Sequence, residues 1–451
     1  MMESIVPRES RAGSGSSSTS IAKVDDPEHV REVETGWVKE ELDSGEIVAI
    51  RDPDDFPDGG IQAWSVCVGV SHNTDILANL ISNYQAFQIY YETVLLKGTS
   101  ASVIAWIGSL QACLTFLVAV FAGRLFDIGW FKVPILAASL LLVVATILVG
   151  ECTEYWQLFL CQGLATGIAT GAIFGPVMAV LSHWFKRRRA TALGVLAFGS
   201  SIGGTILPIE FRDLEVKIGF KWTMRAFALI LLFFMTIGNL LVRRRLPPVK
   251  VQGGMFNPSV FKSPAFCMYT ASSFVAFLGL FTVLTYIGVS SPEQGASENM
   301  AFYLVSIANG AGGIGRLVFG VLGDHWGPMN AMVPLTILTA ITTYAWPFVF
   351  GQPSLIAITV FYGIGSQAYI GLLPTAMINF GETADVGRRM GLYMSLIACS
   401  TVVGPPISGA ILEDSGKFDG VGAWAGSMIV LALLLLLITR YLVLGRFWGK
   451  I

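Results

Sequence analysis

From Asp58 to its last residue the chain alternates between long apolar runs and short polar connectors, and twelve runs can be counted. They lie near 62–90, 101–124, 132–150, 155–182, 189–209 and 223–242, then 264–289, 299–323, 329–350, 354–380, 388–412 and 421–444. A helix rising 1.5 Å per residue needs roughly 20 apolar residues to cross the hydrocarbon layer. Backbone polar groups find no water there, so runs of this length predict helices. The pattern predicts an all-α membrane protein with 12 transmembrane helices arranged as two pseudo-symmetric six-helix bundles. The bundles are expected over 58–242 and 264–451, the second with a short cytoplasmic tail, joined by a basic cytoplasmic connector at 243–263. Residues 1–57 lack helical periodicity and begin with a Gly/Ser/Thr run, which predicts a disordered acidic cytoplasmic tail. They show no basic segment leading into an apolar core, so a cleaved signal peptide is not expected.

A repeat reinforces the two-bundle reading. Gly123-Arg124-Leu125-Phe126-Asp127, with Gly129 beyond, ends one run; Gly320-Val321-Leu322-Gly323-Asp324, with Gly327 beyond, ends another. The two aspartates stand 197 positions apart. Arg188-Arg189 and Arg388-Arg389 echo one another, each pair followed fifteen residues later by Gly204 or Gly404. Repeated charged loops between repeated spans are the layout of a transporter whose halves rock about a central site.

Composition narrows the class. Hydrophobic residues make up 53% and charged residues 13% of the chain, and mean hydropathy is +0.65, far from a soluble domain. Residues 1–58 hold fifteen acids against six bases, a formal −9, and the remainder carries +7. The positive charges sit in short loops, where they read as topology signals, and nucleic acid is not an expected partner. Placing the basic loops in the cytoplasm puts both termini inside, and the plasma membrane is the expected location. The six cysteines and four histidines are scattered, with no metal, haem or phosphate-cradling motif. No cofactor and no enzymatic activity are expected, since no nucleophile–base or metal cluster is evident. Trp106, Trp130, Trp156, Trp184, Trp326 and Trp424 near run ends suit an interfacial belt.

Polar residues inside the runs are the functional candidates. Ser71, Asp75, Asn79 and Ser82 recur on one face of the first span, with His72 and Asn83 beside them. A buried aspartate costs several kcal/mol unless it meets water or a partner. Asp75, with His72, is therefore the proton-coupling candidate, against the alternative of a divergent, poorly inserted helix. Arg316 lies eight residues before Asp324, ~12 Å deeper along a helix, where a guanidinium could hold a carboxylate bidentately. Asn79, Asn83, Gln162, Asn309, Gln367 and Tyr369 are further substrate-binding candidates, each of which could instead satisfy an interhelical hydrogen bond. Arg124, Asp127, Lys186, Arg187, Arg188, Arg189, Arg316, Asp324, Arg388 and Arg389 are candidates for a cytoplasmic gate of ion pairs that break as the halves rock. Gly163, Gly167, Gly171 and Gly175 line one face of the fourth span and predict a close packing seam.

Several motifs resemble the major facilitator superfamily, and within it the monocarboxylate porter family in its fungal branch. Asp58-Gly59-Gly60 with Trp64 stands where that family enters its first span. Trp184 to Ala190 with Gly194, Gly315-Arg316 with Gly320 and Asp324, and Gly387-Arg388-Arg389-Met390-Gly391 are similar to its loop signatures. The resemblance covers roughly 58–445. It implies a secondary active transporter working by alternating access, with Arg316 binding an anionic substrate. Two positions depart from the proton-coupled lactate carriers: their aspartate falls at Gly312 and their span-one lysine at Ser82. Simple lactate or pyruvate symport is thus disfavoured. Fungal members with such losses are linked to other cargo, including secondary metabolites and riboflavin. The expected activity is transport, leaning to efflux, of a small organic anion, monocarboxylate-like compound or fungal metabolite, with protons as candidate co-substrate. The alternatives are a non-transporting substrate sensor signalling through its tail, or an uptake carrier for riboflavin-like or carboxylate nutrients.

Overall fold

The computed structural model describes residues 56–82, 87, 90–99, 101–245, 258–381, 386–446 and 449, together with three short strands in the acidic segment; for residues 72–82 only the helical course of the backbone is described. The membrane part comprises helices α1 (Gly60–Ser82), α2 (Ala101–Asp127), α3 (Lys132–Val149), α4 (Tyr155–Leu181), α5 (Arg189–Ile218) and α6 (Phe220–Leu241), then α7 (Pro264–Ser290), α8 (Glu298–Trp326), α9 (Pro328–Ala345), α10 (Gln352–Ile378), α11 (Val386–Ser415) and α12 (Phe418–Leu444). Among the described residues eleven of these are long and apolar enough to cross a membrane, and α1 is the twelfth helix.

The outward faces explain why the chain needs a bilayer. On α3, Val133, Leu136, Leu140, Val144 and Ile147 recur at helical spacing and are exposed, whereas Ser139 and Thr146 are buried. On α6, Leu229, Phe233 and Leu240 are 61–69% exposed. This is a soluble helix turned inside out: the outer stripe is stabilised only by lipid, and inner hydroxyls are satisfied locally. Ser139 donates to the Ile135 carbonyl at 2.8 Å and Thr146 to that of Leu142 at 2.8 Å. The protein is a multi-pass membrane protein.

Helix ends follow local chemistry. Ser263 Oγ accepts from Phe266 N–H ahead of α7, where Pro264 needs no donor, and Ser297 Oγ accepts from Met300 N–H at the start of α8. Gly129 and Gly327, at φ +100° and +94°, make the turns after α2 and α8 in a backbone region that other residues rarely adopt. The interior prolines also repeat: Pro176 and Pro374 in α4 and α10, Pro208 and Pro405 in α5 and α11.

The predicted glycine seam is present. A Cβ on Gly167 would stand 2.8 Å from Leu114 Cβ, one on Gly171 2.7 Å from the Leu114 carbonyl, and one on Gly175 2.9 Å from the Ala119 carbonyl. The α4 backbone thus lies directly on α2, where Thr115 and Thr170 hydroxyls meet at 2.6 Å.

Three expectations are corrected. The fifth span runs to Ile218, well past residue 209, and its polar last turns include Asp213 and Lys217, which pair one turn apart at 2.6 Å. Trp184 is not in an exposed belt like Trp106, Trp130, Trp156 and Trp326: it is buried, and its indole N–H donates to the Arg243 carbonyl at 2.9 Å. The acidic segment is not wholly irregular, since Trp37–Glu41 and Ala22–Lys23 each pair antiparallel with Ile47–Arg51, short runs carrying the β-branched residues that favour strands.

Candidate functional site

The two halves meet through helix ends at the basic face. Asp127, 2% exposed at the end of α2, accepts from the backbone N–H groups of Gly387 at 3.2 Å and Arg388 at 2.9 Å, the first turn of α11. Asp324, at the end of α8, accepts from Ala190 N–H at 2.8 Å, Thr191 N–H at 2.9 Å and the Thr191 hydroxyl at 2.5 Å, the first turn of α5. Each carboxylate caps the opposite half's helix, satisfying donors that have no intrahelical partner and lying at the positive end of the dipole. Close approach makes this possible. A Cβ on Gly387 would fall 2.5 Å from the Gly123 carbonyl, and one on Gly194 2.6 Å from that of Arg316.

These caps add main-chain N–H groups to the partners of the two gate aspartates. The gate arginines are gathered at the same seam: Arg189, Arg388 and Arg389 are all under 9% exposed. Arg189 donates to the Phe185 carbonyl at 3.1 Å and reaches Asn379 Oδ1 at 3.5 Å. Arg124 lies in the last turn of α2, three residues before Asp127. Lys186, Arg187 and Arg188 contribute through their backbone. Their N–H groups converge on Asp58 Oδ1 at 2.6, 2.7 and 3.3 Å, while Asp58 N–H donates to the Trp184 carbonyl at 3.2 Å. Asp58 holds φ +46°, a conformation that aspartate tolerates better than most residues. Its clamp on the α4–α5 turn was missed in the sequence, where Asp58-Gly59-Gly60 was only a motif.

His183 occupies the same turn, 3% exposed, with its ring 5.1 Å from that of Phe126. Burial first, and then Arg244, Arg245 and Arg189, pull its pKa down to about 3, so the imidazole is neutral at physiological pH.

Deeper in the seam, Arg316 links α8 to both α5 and α10. Its Nη1 donates to the Ala197 carbonyl at 2.7 Å, Ser200 Oγ at 2.7 Å and Ser201 Oγ at 2.8 Å. Nε donates to the Gln367 carbonyl at 3.1 Å, and Nη2 to Gln367 Oε1. Gln367 Nε2 donates to Asn309 Oδ1 at 3.3 Å, and Asn309 Nδ2 to the Gly204 carbonyl at 3.2 Å. Three predicted residues therefore form one polar chain, joined by Ser200 and Ser201. Those two serines could have been suspected only from their small, polar character within an apolar run.

The remaining candidates lie apart from that chain. Gln162 sits in a stretch of wider π-helical turns, Phe159–Thr166, and accepts from the Tyr91 hydroxyl at 2.5 Å. Such turns expose backbone groups and often mark functional positions. Tyr369 is 2% exposed in the core cluster with Tyr269 and Tyr393, whose rings stack at 5.5 Å. The side chains of His72, Asp75 and Asn79, and all of Asn83, lie outside the described residues; Ser71, the first member of their stripe, is buried and donates to the Leu196 carbonyl of α5 at 3.4 Å. Among the described residues no group of three or more His, Cys, Asp and Glu converges to hold a metal. The departure at Gly312 has a steric reason: a Cβ there would stand 2.5 Å from Gln367 Cγ and 3.0 Å from the Gly363 carbonyl, leaving no room for a carboxylate.

A family model described as the Major Facilitator Superfamily matches residues 76–382 and again 291–449. The aspyridones efflux protein apdF of Emericella nidulans is 34% identical over 377 residues, 83% of this chain and 77% of that protein. MFS-type transporter 1 of an Ophiocordyceps species is 32% identical over 392 residues, 86% of this chain and 87% of that one. The solved structure of the proton:xylose symporter XylE, bound to a bromodeoxyglucose, aligns with a TM-score of 0.68 at 12% identity, over 82% of this chain and 94% of that one, which is a likeness of fold. Repeated halves, capped across their seam and matched by one family model from the first span to the last, make this chain a transporter of the Major Facilitator Superfamily.

Proposed function

We propose that the protein is a secondary active exporter of a small organic anion or amphipathic fungal metabolite, working by alternating access within a monocarboxylate-porter-like branch of the superfamily. The observation that carries this reading is the pair of reciprocal aspartate caps, Asp127 on α11 and Asp324 on α5. Contacts of this kind are strong enough to hold one face shut and weak enough to release, at about 1 kcal/mol per cap. Among the described residues, the hydrogen bonds given between the halves lie at Thr205 and Ser306 or on their basic-loop side, which supports a state closed at that face. With the basic loops in the cytoplasm of the plasma membrane and both termini inside, it would be open outward.

Arg316 supports an anionic cargo. In the closed state its guanidinium is occupied by Ser200, Ser201 and the Ala197 carbonyl of α5. Parting of α5 from α8 would free those donors for a carboxylate, so substrate and closed seam would compete for one cation. The direction leans on a relative named as an efflux protein and on the absence of the two charges expected of lactate carriers. Asp75 is the proposed proton carrier.

The test has two stages. Metabolites inside and outside cells with and without the protein are compared, and any that redistributes is then offered to the purified chain in liposomes. Export of an anionic compound, stimulated by a proton gradient in wild type and unstimulated in Asp75→Asn, is the expected result. Failure of every metabolite to redistribute would sink the export reading.

A further inference from the structure

We propose that a groove beside the α2–α3 turn binds the phosphate of an anionic phospholipid from the leaflet adjoining the basic face. The groove has a volume of about 660 Å³ and is lined by Trp130, Phe131, Lys132, Val133, Arg243 and Arg244, with Gly129 at the turn. Among the described residues that line it there is no carboxylate; the Asp127 charge acts on Arg244, so Lys132 and Arg243 are the two cations whose repulsion an anion would relieve.

Each cation is held in place by a neighbour. Lys132 Nζ donates to the Asn239 carbonyl at 2.6 Å, leaving two further N–H donors. The Arg243 carbonyl is fixed by the Trp184 indole at 2.9 Å, while the residue itself is exposed. Arg244 stacks on the Phe126 ring at 4.9 Å and donates to the Phe126 carbonyl and, at 3.3 Å, to the Asp127 carbonyl.

The opposite wall distinguishes a lipid from a soluble anion. Trp130 is 65% exposed and Val133 70% exposed, and Val133 starts the outward apolar stripe of α3. A headgroup on the cations would lay its acyl chains along that stripe; free phosphate would leave it bare. Occupancy has a consequence for the gate, because Arg244 grips the last carbonyls of α2, whose terminal Asp127 caps α11. A lipid held there would brace the α2 end and favour the closed face. This inference concerns lipid binding and does not rest on what the protein transports.

The test uses the full chain, purified and delipidated in detergent, with native mass spectrometry to measure the tightest lipid. Phosphatidylglycerol is compared with phosphatidylcholine of the same acyl chains, and inorganic phosphate is offered as competitor. Wild type should retain phosphatidylglycerol in preference to phosphatidylcholine. Each lost cation should weaken that retention by about fivefold, from roughly 1 kcal/mol per basic residue near the surface. Lys132→Gln/Arg243→Gln should therefore fall to the phosphatidylcholine level. Should the double variant not fold, Arg243→Gln alone, at an exposed position, should still show its fivefold loss. Equal retention in wild type and variant, no preference for the anionic lipid, or displacement by inorganic phosphate as effective as by lipid would each overturn the proposal.

Discussion

Asp127 and Asp324 do the same job 197 residues apart, and the helix starts they cap are separated by the same interval. Asp127 accepts from Gly387 and Arg388, and Asp324 accepts from Ala190 and Thr191. Adding the repeat length to Ala190 and Thr191 gives Gly387 and Arg388. The internal repeat therefore preserves an interaction between halves, each half offering one carboxylate and one uncapped helix start. The seam gains twofold symmetry from a single local device. Loosening either end should loosen the same face.

Asp127→Asn and Asp324→Asn should each shift the equilibrium towards opening of the basic face. Losing a charged cap costs about 1–1.5 kcal/mol, close to a tenfold change in population. A hydrophilic maleimide should then modify a cysteine introduced at Ser395, whose hydroxyl bonds the Phe116 carbonyl across the seam, about tenfold faster in a background lacking the native cysteines. Unchanged labelling in both variants would mean that the caps do not set the closed state.

Gly194 and Gly387 allow the helix approach on which the caps depend. Gly194→Ala and Gly387→Ala each place a methyl within 2.6 Å of a backbone carbonyl of the other half. Overpacking of this kind costs about 1–3 kcal/mol. Both variants should therefore melt earlier in detergent and mimic the aspartate variants in the labelling assay.

Arg316→Lys should behave almost as badly as Arg316→Ala, because an ammonium cannot serve α5 and α10 together as the guanidinium fork does. In liposomes both should reduce flux of an anionic cargo far more than that of a neutral analogue. Equal losses for the two cargoes would reduce Arg316 to a structural tie.

His183 predicts a pH dependence with a definite sign. Burial lowers its folded pKa to about 3, below the ordinary value near 6.5, so between these values the unfolded chain binds more protons. Stability should fall as pH falls through that window. Glu151, whose carboxyl is held below its usual range first by a hydrogen bond from Lys221 and also by Arg225, acts in the same direction, but only at carboxylate pH. Melting at pH 7 and pH 5.5 thus isolates the histidine: wild type should lose stability at the lower pH and His183→Gln should lose less.

Gly312→Asp should not restore proton coupling of the lactate-carrier kind. The carboxylate would collide with Gln367 and the Gly363 backbone, separating α8 from α10 and disturbing Arg316 through Gln367. Lower thermal stability with no new proton-gradient stimulation is the expected outcome. A stable variant with gained proton stimulation would contradict the packing argument.

The number and order of the spans were legible in the sequence because hydropathy is a local sum: twenty neighbouring apolar residues need no distant partner to be read as a helix. Duplication was legible for the same reason, since Gly123–Asp127 and Gly320–Asp324 are short strings. The α4 glycine row declared a seam through its spacing alone. Partner choice was not legible. An aspartate beside arginines suggested ion pairs, and gave no sign that Asp127 and Asp324 also cap helix starts on remote elements. Arg316 read as a substrate ligand, and nothing near it in the chain announced its acceptors on α5, more than a hundred residues away. Trp184 and Gln162 are similar cases: the supposed interface residue is buried, and the Tyr91 partner of Gln162 lies 71 positions away in the chain. The sequence by itself determined a two-fold repeated set of membrane helices with a few costly polar groups inside. Only the tertiary structure decided which of those groups meet, because that depends on how far each helix is turned and slid against its neighbours, and rotation of a few tens of degrees changes every partner without changing the hydropathy of the chain.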